Sequence, residues 1–118
     1  MTNILYRVLL FFLIALPTAA IAQEKKTITV LNSKFEIITV IVSPELVAHF
    51  ESIWNTRAEV SAKVKPSWKY KIDLIGIKPS GRWLYDPAGY VTKLSHKQRH
   101  LYLIASHDRL NRLLGIKE

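Results

Sequence analysis

Trp68-Lys69-Tyr70-Lys71-Ile72-Asp73-Leu74 alternates large apolar with charged residues without a break. A repeat of two places Trp68, Tyr70, Ile72 and Leu74 on one side and Lys69, Lys71 and Asp73 on the other. That is the pattern of an antiparallel strand with one face on a core and one in water. Downstream, Lys78-Pro79-Ser80-Gly81 and Asp86-Pro87-Ala88-Gly89 have turn chemistry, and they separate a strand at Arg82–Tyr85 from one at Tyr90–Ser95. His100–Ala105 completes a meander of four strands.

Upstream of Trp68, Ala58–Lys65 is a weakly patterned connector that Pro66 stops. Before it, Thr27–Leu31 and Phe35–Val42 are rich in β-branched residues and flank a short turn at Asn32-Ser33-Lys34, which predicts a hairpin. The second of these strands is apolar on both faces. It must be covered on two sides, or leave a face for a partner.

Ser43-Pro44-Glu45 opens a helix: the serine hydroxyl can accept from an unpaired N–H, proline suits the first position, and glutamate complements the dipole. The helix is expected over Pro44–Arg57, with Leu46, Val47, Phe50, Ile53 and Trp54 as its apolar stripe. Near the end of the chain, Ser106 and Asp108 start a second helix, Leu110, Leu113 and Leu114 line it, and Gly115 stops it. The reading is a small single α+β domain of order ββαββββα, its antiparallel sheet packed against one main helix with a short C-terminal helix.

The first 22 residues read as an export signal. Arg7 is the positive start, Val8–Leu16 the apolar run, and Ala20-Ile21-Ala22 the small residues before cleavage. Val8–Ala22 is interrupted by Pro17 and short of the roughly 20 residues of a membrane span. Cleavage after Ala22 leaves residues 23–118 as one exported domain, and no later stretch is apolar enough for a stable span. The implied compartment is the bacterial periplasm. The chain has no cysteine, so its core must hold without disulfides.

Lys and Arg number 17 against 9 Asp and Glu, a formal net charge of +8. Removing Arg7 with the signal leaves 16 against 9, or +7. Such a balance favours anionic partners. In an envelope compartment these are an acidic protein, an acidic polymer or lipid head groups, and nucleic acid is not expected.

Catalytic signatures are missing: there is no P-loop, GxGxxG, GxSxG, HExxH or thiol. His96 and His100 are four apart, but beside Lys97 and Arg99, which oppose a metal ion, and His107 follows in the loop before the last helix. Asp73 reads as a surface partner of Lys71, Asp86 as a turn former and Asp108 as a first-turn helix residue. No enzyme, metal or cofactor is therefore expected.

The densest chemistry is aromatic and basic: Lys69, Lys71, Arg82, Trp83, Tyr85, Tyr90 and Lys93 are the candidate binding residues. If Trp83 and Tyr85 share the inner face with Trp68 and Tyr70, the rings form a core layer. If they face outward, they make a platform for a protein or a sugar. The leading expectation is a non-catalytic periplasmic binding protein of accessory, inhibitor or immunity type that recognises another envelope macromolecule. One alternative is an anionic glycan or lipid head-group binder using Lys69, Lys71, Arg82 and Lys93. The other is a small hydrolase, which needs His96, His100 or His107 in a concave pocket with a carboxylate in reach.

Overall fold

Alternation in Tyr70–Ile75 buries Ile72 and Leu74 completely and turns Lys71 and Asp73 to the opposite face. The computed structural model describes residues 25–95 and 99–117. The expected signal at Met1–Ala22 lies outside the described residues, as does His96. Strands run β1 (Thr27–Asn32), β2 (Ile37–Ile41), β3 (Ala58–Glu59), β4 (Tyr70–Ile75), β5 (Gly81–Tyr85), β6 (Tyr90–Lys93) and β7 (Leu101–Leu103). Helix α1 (Pro44–Trp54) follows β2, and α2 (His107–Leu114) follows β7. The seven strands form one antiparallel sheet in the order β2-β1-β4-β5-β6-β7-β3. An α+β domain with a main helix and a short C-terminal helix is what the sequence implies, with one strand more than expected.

That additional strand, β3, falls in the expected connector. Its two residues pair with Leu103 and Tyr102, a distant partner that two residues of local pattern do not announce. Helix α1 is shorter than its reading: Asn55 caps it, the Thr56 hydroxyl bonds the Ile53 carbonyl at 2.6 Å, and Arg57 turns back to donate to the Trp54 carbonyl. Side chains that satisfy helical carbonyls compete with the next turn of backbone. Ser43 and Ser106 occupy the N-cap positions without a side-chain cap bond, and His107 is the first residue of α2 rather than part of a loop. Gly115 does end α2 in the left-handed conformation.

Both helices lie on the inner face. Val47, Phe50, Ile53 and Trp54 of α1 and Leu110 and Leu114 of α2 share one core with Ile28, Val30, Ile72, Leu74, Trp83, Tyr85 and Val91 of the sheet. Phe50 stacks on Trp54 at 5.2 Å, and Trp54 meets the ring of Trp83 edge to face at 5.1 Å. Such geometry adds roughly 1 kcal/mol per pair beyond area burial. Buried Asn111 in α2 accepts from the Tyr85 hydroxyl and donates to the Pro87 carbonyl at 2.9 Å, tying the last helix to the β5–β6 turn.

In that turn Asp86 behaves as its sequence suggests, accepting from Ala88 N at 2.9 Å, and it also accepts from Ser67 N at 2.8 Å. Gly89 sits at φ +105°, and a Cβ there would stand 2.5 Å from the Ile104 carbonyl oxygen. Gly89→Ala is expected to lower stability by about 2 kcal/mol, the scale of one strained backbone position. Thermal unfolding of the variant measures it, and an unchanged midpoint would show that the turn has room.

The outer face is covered over only part of its width. Thr92 and Leu101 are paired across β6 and β7 and are buried, because the connector lies over them and brings Ala62, Val64, Pro66 and Trp68 to their side. Over β2, β1 and β4 no helix or strand among the described residues is placed. No helix among the described residues is long and apolar enough to cross a membrane.

Candidate binding surfaces

Two regions collect the exposed chemistry. The first is β2 with the outer face next to it. Ile37 is 63% exposed, Val40 53%, and Ile38 and Val42 are also exposed, whereas Ile41 is buried against the core. In the sheet order β2 has β1 on one side and, among the described residues, no strand on the other. It thus offers an unpaired edge and an apolar face together, with no charged residue from Ile37 to Ser43 to guard it.

Phe35 extends this surface. Asn32 builds the hairpin turn by accepting from Lys34 N and Glu36 N through its side chain, and this leaves Phe35 at φ +63° with its ring 59% exposed. A non-glycine residue in that region costs about 1 kcal/mol. Lys71 Nζ lies 4.1 Å from the ring centroid and the Arg82 guanidinium 5.7 Å from it, contacts that offset part of the cost. Arg82 also forms a two-pronged pair with Asp73 at 2.7 and 2.8 Å, which raises its pKa further above the ordinary arginine value. Asp73 therefore partners Arg82, its neighbour across the strands, and not Lys71 as the sequence suggests.

The second region is a cleft of about 180 Å³ on the inner face, lined by Pro79, Trp83, Lys93, Ser95, Arg99, His100 and Tyr102. Trp83 pairs with Lys93 across β5 and β6, which sets that lysine on the core side of the sheet. Arg57 lies over the rings of Trp54, Trp83 and Tyr102 at 5.5, 5.4 and 5.8 Å. Desolvation lowers its pKa, opposed by the charge interaction with Tyr102. His100 Nδ1 stands 3.3 Å from Glu59 Oε2, and His107 Nδ1 is 3.3 Å from Asp108 Oδ1 in a different part of the fold.

These positions divide the residues singled out from sequence. Trp83 is 2% exposed and Tyr85 fully buried, so they form the core layer, and the outward ring platform built on them is corrected. Helix α1 covers this face, where Trp54 meets Trp83 edge to face within the shared core. Lys71 and Arg82 sit on the outer face, Lys93 lines the inner cleft, Lys69 is exposed and Tyr90 half-buried. Lys71, Arg82 and Lys93 hence do not converge on one anion. Sequence reasoning passed over Arg57, Arg99 and Phe35, the residues that organise the two surfaces; of these, only Phe35 carried a local signal, an aromatic beside a turn.

Comparisons with protein-family models, with curated proteins and with solved structures returned no match.

Proposed function

We propose that this chain is an exported, non-catalytic binding protein that takes an extended segment of an acidic partner protein onto the free edge of β2. The observation that carries the reading is the bare edge itself: Ile37, Ile38, Val40 and Val42 are exposed on an edge strand without a charged guard. An added strand would gain backbone hydrogen bonds along β2 and cover these side chains, the recognition mode known as β-augmentation. The excess of 17 Lys and Arg over 9 Asp and Glu favours a partner with acidic residues next to its apolar segment. The same charge disfavours a second copy of the chain. Export is supported by Arg7, the run Val8–Leu16 and Ala20-Ile21-Ala22. The periplasm is the compartment in which the partner is sought.

A photo-activated cross-linking residue placed at Val40, in the envelope fraction of the native cell, tests this. One discrete heterologous product is expected, and Ile38→Lys should remove most of it while leaving circular dichroism unchanged, since the side chain is already exposed. Products equally strong from a cross-linker at exposed Lys63, or only a homodimer, would defeat the proposal.

The hydrolase alternative draws on one observation, the His100–Glu59 pair at the cleft. Both side chains are more than half exposed, and a solvated pair of that kind contributes little orientation or activation. The binding reading is therefore retained.

A further inference from the structure

We infer that the inner-face cleft between Trp83, Lys93, Arg99 and Tyr102 is a second binding site, independent of β2, for the phosphate group of a small or lipid-borne ligand. Charge, shape and floor each contribute. Lys93 and Arg99 line the cleft, and neither is paired with a carboxylate among the described residues. Arg57, outside the lining, packs on the rings of Trp83 and Tyr102 and donates to the Trp54 carbonyl, so it is held by rings and backbone rather than by an acid. No carboxylate is among the described lining residues, and Glu59 reaches one of them, His100, at 3.3 Å.

Two such cations lining one concavity match a dianion better than a single carboxylate, which one of them would already neutralise. Arginine adds a planar fork that fits phosphate oxygens, and lysine a mobile point charge. Size narrows the ligand. About 180 Å³ is well below the roughly 300 Å³ at which drug-sized pockets begin. It admits a phosphate and a short stem, with the rest of a larger molecule left outside. Trp83 and Tyr102, tilted at 6.2 Å, form an apolar floor that lowers the local dielectric under those charges.

The outer-face cations are a built-in control. Arg82 is already neutralised by Asp73, and Lys71 is on the far side of the sheet. If the anion site were simply the overall positive field, Lys71 would count as much as Lys93.

The full chain, labelled at its amides, is titrated with inorganic phosphate at low salt. Saturable shifts at Lys93, Arg99 and Tyr102 are expected. Lys93→Gln with Arg99→Gln should weaken binding at least tenfold, and Lys71→Gln less than twofold. Vesicles of phosphatidylglycerol and of phosphatidylcholine identify the source. Binding to the first alone, with phosphate competing, assigns a lipid head group, and phosphate binding without vesicle binding assigns a free phosphate compound. Shifts that do not saturate, or Lys71→Gln weakening binding as much as Lys93→Gln, would overturn the site. Variants at Ile38 or Val40 should leave these titrations unchanged, so failure of the β2 reading and failure of this one are separable.

Discussion

Trp83→Ala is expected to remove about 4 kcal/mol of stability, the range measured for large aromatics truncated in well-packed cores. Trp83 is 2% exposed, meets Trp54 edge to face at 5.1 Å, lies under Arg57, and donates its Nε1–H to the Pro79 carbonyl at 3.1 Å. Alanine would leave a void that four elements cannot easily close, because α1, β5, β6 and β7 are all pinned by other contacts. Small domains have 5 to 15 kcal/mol in total, so roughly half the stability is at stake. Urea unfolding followed by circular dichroism reads the change. Trp83→Phe, which keeps most of the volume but loses the indole donor, should cost less than half as much. A shift below about 1 kcal/mol for the alanine variant would mean that the ring is not in the core.

Asn111→Ala should be nearly as damaging, at about 3 kcal/mol. Asn111 is buried and serves two groups, accepting from the Tyr85 hydroxyl and donating to the Pro87 carbonyl. Its removal strands polar atoms in a site with little access to water, and each such atom costs roughly 1 to 3 kcal/mol. Its backbone carbonyl, which accepts from Ile116 N at 2.9 Å, is unaffected, so the end of α2 itself is not at issue. A double-mutant cycle separates the pairing from the packing: Asn111→Leu combined with Tyr85→Phe should cost less than the sum of the two single changes. Strict additivity would show that the two side chains do not act together.

The meander, the first hairpin and both helices were legible because each carries a period or a punctuation of its own. Lys69 to Leu74 alternates, Ser43-Pro44-Glu45 opens a helix, and Gly115 closes one. What escaped the sequence was settled at a distance. Alternation along Arg82–Tyr85 assigns two faces but not which one the helices cover, and only the placement of Phe50 and Trp54 buries Trp83. Trp68 shares a parity with Tyr70, yet strand pairing begins only at Tyr70, and the tryptophan goes with the connector to the outer side. The inner cleft draws on Pro79, Trp83, Lys93, Ser95, Arg99, His100 and Tyr102, residues that no single window of sequence brings together. The β2 surface was partly visible, since an apolar strand on both faces was read as needing cover or a partner.

The place of β4 between β1 and β5 has a consequence for how the chain is made. As the polypeptide emerges from the ribosome, β1 and β2 can close their hairpin at once. The other side of β1 then waits until everything from Ser33 to Lys69 has been synthesised and β4 arrives. During that interval the nascent hairpin has two open flanks instead of one, and a holding chaperone that shields such β-rich stretches would act there. Slowing translation just before Tyr70 should therefore lower the yield of native protein more than an equal pause after Leu103.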